Sequence, residues 1–296
     1  MTAAREGRVA VAALVAGATV WGLIWYPYRA LDEGGLPGAP AATATYLIAL
    51  VLTLPFVRGW PRGPRTMGAL AVLAVITGWS NIGFTLGVIY GDVVRVVLLF
   101  YLSPLWTMLF ARLLLGEALT GRGYAVVALA LAGAGVMLWN PAAGAPLPRD
   151  TAEWMALSAG VAFALSNVLS RRMAAVAGEV RACAVFVGCA VVGLAAMAWA
   201  PAAVAWPGER EAVLLVALLI LLGVVLAAVN LSVQYGLARV PANRAVVIYL
   251  FELVVTATAA WWLVGDMMTV QAWVGGGLIV AAGLASDLAR PAPAQA

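Results

Sequence analysis

A single glutamate, Glu252, lies nine residues into an apolar run that begins near residue 243. In a helix rising 1.5 Å per residue, that is roughly 12–14 Å from the helix start. If the run crosses a bilayer, the carboxylate sits close to the midplane, where it costs at least ~2.5 kcal/mol and normally faces a cavity or a partner. Two chemistries suit it: contact with the amine of a solute, or uptake and release of a proton. A neutral, hydrogen-bonded structural acid is the alternative. Other runs are interrupted by amides, Asn81, Asn167, Asn230 and Gln234. Such groups must be satisfied inside a membrane, by a ligand or by a neighbouring helix. Asn230 and Gln234 share one helical face at i, i+4. The aromatics Trp21, Phe84, Tyr101, Phe163 and Tyr249 also lie within runs. They could wall an apolar pocket with a few polar contacts, or simply pack. Pro104, next to Ser103, removes a backbone N–H in mid-run and predicts a kink, either a hinge or a static bend. Arg95 and Arg244 each open a run, where a cation opposes the helix dipole. They suit gate ion pairs or capture of a solute carboxylate. The alternative is snorkelling to headgroups, with Asp92 compensating Arg95.

Other chemistries have no material. Histidine is absent, and the two cysteines, Cys183 and Cys189, lie six apart and share no helical face. No metal or redox site is expected. There is no Gly-rich phosphate loop, so neither a cofactor nor nucleotide hydrolysis is expected. An intramembrane enzyme would need a nucleophile with a base, or paired carboxylates, and these runs offer neither. A channel would need rings of repeated polar groups from several subunits.

The elements that must hold these residues follow from composition. The chain is 65% hydrophobic and 10% charged over 296 residues, whereas soluble domains are about half apolar and roughly a quarter charged. Lipid-facing surface explains the excess. A spanning helix needs about 20 mostly apolar residues. Ten stretches qualify or nearly so: about 9–30, 39–57, 68–90, 93–115, 123–140, 152–174, 181–200, 212–237, 243–264 and 270–288. The first is too long for a signal peptide, whose apolar core is roughly 7–15 residues. Turn signals such as Asp32-Glu33-Gly34-Gly35 and Trp206-Pro207-Gly208 separate the runs.

All 17 basic residues are arginine. With the N-terminus inside, only Arg29, Arg95, Arg149 and Arg210 fall outside, which leaves thirteen within. Both termini are therefore expected to be cytoplasmic, in an inner membrane of the bacterial type. The arginines are scattered between runs and form no nucleic-acid face. The expected partners are the lipid bilayer and a small-molecule substrate.

The sequence also repeats itself. Shifted by 149, Arg95 falls on Arg244, Val97 on Val246, Thr107 on Thr256, Gly116 on Gly265, Glu117 on Asp266 and Thr120 on Thr269. Shifted by 143, Gly17 falls on Gly160 and Arg29 on Arg172. The predicted fold is an all-α membrane protein of ten helices in two five-helix repeats, 1–145 and 146–296, joined near Pro141–Pro148. Five is odd, so the repeats are inverted, which is the basis of alternating access around a midplane site.

Tyr101-Leu102-Ser103-Pro104 leading to Leu115-Gly116-Glu117, echoed by Tyr249-Leu250-Phe251-Glu252 leading to Val264-Gly265-Asp266, resembles the drug/metabolite transporter superfamily in its EamA-type branch. Within it, Tyr101-Leu102-x-Pro104 and the Trp21 region are most similar to the aromatic amino-acid exporters. The departures are Ser103, where those proteins tend to carry tryptophan, and Leu253, where the second half lacks the proline. The resemblance implies export of amino acids or related metabolites. Proton coupling through Glu252 stays open, as does simple movement down a gradient.

Overall fold

The computed structural model describes residues 3–140, 147–199, 204, 208–265 and 267–286, and these are helices joined by short turns. In the first half they are α1 (Ala3–Leu23), α2 (Trp25–Glu33), α3 (Gly38–Thr53), α4 (Pro64–Tyr90), α5 (Val93–Phe100), α6 (Ser103–Phe110) and α7 (Gly121–Met137). In the second half they are α8 (Thr151–Arg172), α9 (Gly178–Trp199), α10 (Glu209–Leu237), α11 (Ala242–Tyr249), α12 (Phe251–Val264) and α13 (Val270–Ala285). Among the described residues, 8 helical stretches are long and apolar enough to cross a membrane, and α7 and α13 are shorter apolar helices. Large apolar side chains such as Val75, Val191, Leu221 and Trp262 stand exposed along them. Continuous exposure of that kind suits lipid. The expected join at 141–146, Asp266 and the chain end lie outside the described residues.

Polar side chains start several helices. Asp92, Thr120, Asp150 and Thr269 accept hydrogen bonds from the backbone N–H groups of Arg95, Gly123, Glu153 and Ala272, satisfying donors that the first turn leaves open. Thr120→Ala should therefore lower stability by ~1 kcal/mol, read from the unfolding midpoint in mixed micelles. Gly116 (φ 68°) and Gly265 (φ 83°) end the fourth and ninth runs in the left-handed region, as helix C-caps favour.

Three runs read as single helices are broken. The first run turns at Ile24, where Pro27 offers no N–H to the carbonyl of Leu23. The fourth breaks at Tyr101–Leu102, three residues before Pro104, and α6 is followed by a π turn, Ala111–Leu115. The ninth breaks at Leu250 with no proline. The two halves thus break at matching places, although only one carries the ring. At the second break, α1 presses close. A Cβ on Gly22 would lie 2.8 Å from the carbonyl oxygen of Glu252, and the hydroxyl of Thr256 donates to the carbonyls of Gly22 and Glu252.

Close packing relies on glycine. α4 packs on α8 and α9, α3 on α9 and α10, α1 on α10, α11 and α12, α8 on α5 and α6, and α7 on α13. Gly133 and Gly275 bring α7 and α13 into backbone contact: a Cβ on either would lie within 2.8 Å of the other's carbonyl oxygen. The small-residue stripes of these helices therefore join the two halves.

Candidate functional site

The fourth and ninth runs place their breaks against α8 and α1. A Cβ on Gly160 of α8 would lie 2.6 Å from the carbonyl oxygen of Phe100, and one on Gly17 of α1 would lie 3.9 Å from Cε1 of Tyr249. Glycine lets α8 meet its break closely, whereas Gly17 touches Tyr249 at an ordinary distance and makes room for Val233 of α10, 2.6 Å from its would-be Cβ. The residues beside the breaks form a continuous aromatic wall. Phe84 and Phe100 have ring centroids 4.7 Å apart, Phe100 and Tyr101 5.5 Å, Phe100 and Phe163 5.5 Å, and Phe163 and Tyr249 5.6 Å. The two rings nearest the break, Phe100 and Tyr101, meet edge to face, as aromatic quadrupoles prefer. Phe84, Phe100, Tyr101 and Phe163 are only half-buried, while Tyr249 is buried.

Glu252 completes this group. It lies one residue into α12, faces the Tyr101 hydroxyl, and is also close to Tyr249. It keeps accessible surface although it lies deep among the helices. No ion pair to Glu252 occurs among the described residues. On the same helix faces lie polar atoms with no partner: Nδ2 of Asn167, one turn beyond Phe163, Oδ1 of Asn230, one turn before Val233, and the hydroxyl of Tyr249. All three residues are buried, and buried polar atoms left open are the exception in folded proteins.

The structure brings Phe84, Tyr101, Phe163, Tyr249 and Glu252 together, with Asn167 and Asn230 on adjoining turns. Ser103 and Pro104 are buried at the start of α6, just past the break. Trp21 is placed apart, half-buried against the cluster of Tyr46, Phe186, Cys189 and Leu226. Asn81 is held locally: its Oδ1 accepts from the Tyr46 hydroxyl at 2.7 Å and its Nδ2 donates to the carbonyl of Thr77. Gln234 is also committed. Its side-chain and backbone oxygens accept from Arg181, whose guanidinium also donates to the carbonyls of Ser170 and Val176. Arg181, placed among the cytoplasmic arginines by sequence, is fully buried.

Arg95 does not snorkel. Its backbone N–H bonds Asp92, but its buried guanidinium pairs with Glu153 and donates to the carbonyl of Leu147. Glu153 is fixed in turn by the backbone N–H of Arg149. At the other end of α8, Arg171 pairs with Glu117, whose second oxygen accepts from the N–H of Ala242. Arg244 bonds Ser286 at 3.3 Å. Two residues escaped sequence reasoning: Glu153, whose partner is 58 residues away, and Phe100. The repeat itself carried a signal for Phe100, since the shift of 149 places it, and not Tyr101, on Tyr249.

A separate groove of about 910 Å³ lies between α1, α2, α10 and α12, lined by apolar side chains including Val20, Leu222, Phe251, Val255 and Trp262. From α12 it is lined by Phe251, Val254, Val255, Thr258 and Ala259 among others, and Glu252 is not among the lining residues. Its lining is almost wholly apolar, unlike the mixed aromatic and polar group around Glu252.

The family model described as the EamA-like transporter family matches residues 8–139 and 150–285. No curated protein matches the chain. Among 29 solved chains that match, one described only as "Crystal structure of protein" is 20% identical with a TM-score of 0.76, covering 97% of this chain and 99% of that one. At that identity it shows the fold alone.

Proposed function

This chain belongs to the EamA-like transporter family, and from that premise we propose that it is a secondary carrier exporting aromatic or neutral amino acids, or related small metabolites, by alternating access. Its family is one of transporters, not enzymes. The observation that carries the reading is the aromatic wall ending on Tyr101 and Glu252, at the breaks where the two halves meet. Apolar rings with few polar groups are how small-molecule pockets are built, and Tyr101-Leu102-x-Pro104 favours the aromatic exporter branch.

The proposed architecture is ten spans in two inverted repeats, 1–145 and 146–296, with both termini cytoplasmic in a bacterial-type inner membrane. Packing supports it. Exchanging the halves turns α4 on α8 into α10 on α1, turns α4 on α9 into α10 on α3, and turns α8 on α5 and α6 into α1 on α11 and α12. The pairs α3 with α9 and α7 with α13 map onto themselves. A two-fold relation of this kind accompanies midplane sites formed by broken helices.

The test is uptake of a radiolabelled amino-acid panel by proteoliposomes, wild type beside Glu252→Gln. Saturable uptake by the wild type, reduced at least ten-fold in the variant, is expected. If the variant loses only the pH dependence, Glu252 carries the proton; if it loses all uptake, Glu252 has a substrate contact or a structural role. No uptake of any member by folded protein overturns the amino-acid assignment.

A further inference from the structure

We propose that the central site selects a primary ammonium joined to an apolar ring and disfavours a free carboxylate, so that an aromatic amine or amino-acid amide binds better than the parent amino acid. The inference rests on the carrier reading and narrows its substrate. It comes from a census of charge. An amino acid brings two opposite charges, and burying either without a partner is costly. The site offers one carboxylate, Glu252, beside the hydroxyls of Tyr101 and Tyr249, at the end of the aromatic wall of Phe100, Tyr101, Phe163 and Tyr249. A carboxylate deep among apolar rings is a setting that attracts an ammonium group carried on an apolar body.

Among the described residues, no cation is placed there for a substrate carboxylate. The sequence has no histidine, and its basic residues are all arginine. Among the described residues, Arg29, Arg95 and Arg171 are paired with Glu33, Glu153 and Glu117 at helix ends. Arg181 is bound by Gln234 and by main-chain carbonyls. Arg239 lies over the Tyr235 ring, 3.7 Å from its centroid, and Arg244 bonds Ser286. The remaining described arginines are exposed near helix ends. A bound carboxylate would meet only neutral donors, such as Nδ2 of Asn167 and the Tyr249 hydroxyl, with Glu252 close by. Like charges in a poorly screened interior repel strongly. The Tyr249 hydroxyl and the Asn167 amide are buried and without a partner, which leaves hydrogen-bonding capacity that a polar ligand group could take up.

The experiment compares phenethylamine with phenylalanine, which share the ring and the amine and differ by the carboxylate. Binding is measured by isothermal titration to the detergent-solubilised full chain, and flux by competition against labelled phenethylamine in proteoliposomes. The amine is expected to bind at least ten-fold more tightly. Glu252→Gln is expected to bring the two ligands within about two-fold, a loss of roughly 1 kcal/mol in discrimination, while Glu252→Asp keeps the preference. Equal or tighter binding of phenylalanine by the wild type overturns the proposal, whatever the variants do. A preserved ten-fold preference in a folded Glu252→Gln variant overturns the role of the carboxylate. Amine-selective binding without flux would keep this proposal and sink the carrier reading; saturable flux favouring phenylalanine would do the reverse.

Discussion

Glu117→Ala will lower the unfolding free energy by about 2–4 kcal/mol, somewhat below the range for a fully buried pair, because the two side chains keep 18–23% of their surface. One carboxylate here does two jobs. It pairs with Arg171 at the end of α8 and accepts the N–H of Ala242 at the start of α11. It therefore ties the end of the fourth run to two elements of the other half. Alanine strands an arginine in a partly buried place and leaves a first-turn N–H open. Equilibrium unfolding in mixed micelles reads the cost. A double-mutant cycle with Arg171→Met separates the pair from the rest: coupling of about 1–3 kcal/mol is expected for groups in contact. Strict additivity of the two substitutions would show that the pair contributes nothing.

Gly188→Ala is the second substitution with a large expected effect. α9 crosses α4 so closely that a Cβ at this position would lie 1.7 Å from the carbonyl oxygen of Ala74 and 2.3 Å from its carbon. Both atoms are backbone, so no side chain can move aside. The helices must separate, and the contact between Gly78 and Gly188 opens with them. Overpacking typically costs 1–3 kcal/mol, and a rigid backbone clash puts this case at about 3 kcal/mol or more. Loss of the monodisperse peak in detergent, or a fall of that size in unfolding free energy, is the expected result. The same substitution at Gly135 of α7, where nothing lies within 4 Å, should be neutral or slightly stabilising, since alanine is the better helix former. Equal behaviour of the two variants would refute the packing argument.

Several features were legible from residues alone because they depend on local chemistry. Apolar runs with turn signals between them gave the helices, because a backbone in lipid must satisfy its own polar groups. Thr120 and Thr269, matched by the repeat, each cap a helix by a bond within their own turn. The match of Gly116 with Gly265 was readable because both runs end in the same backbone conformation. Glu252 stood out because a carboxylate is expensive at that depth, and Phe84, Tyr101, Phe163 and Tyr249 because aromatics inside runs are candidate walls.

What only the tertiary structure decided was partnership. Gln234 and Asn230 share a face in sequence, yet Gln234 is taken by Arg181 from another helix, while Oδ1 of Asn230 is left open. Arg95 read as an ion-pairing or carboxylate-capturing cation, or as a snorkelling one compensated by Asp92, and it is α8 that delivers its partner, Glu153. Trp21 is a run aromatic like the others, yet the rotation of α1 packs it against Tyr46 and Phe186. The ninth run breaks without a proline, and just past that break Gly22 lets α1 reach the backbone of Glu252. Helical periodicity fixes which residues share a face, but the rotation and crossing of each helix fix what that face meets, and those depend on contacts between residues far apart in the chain.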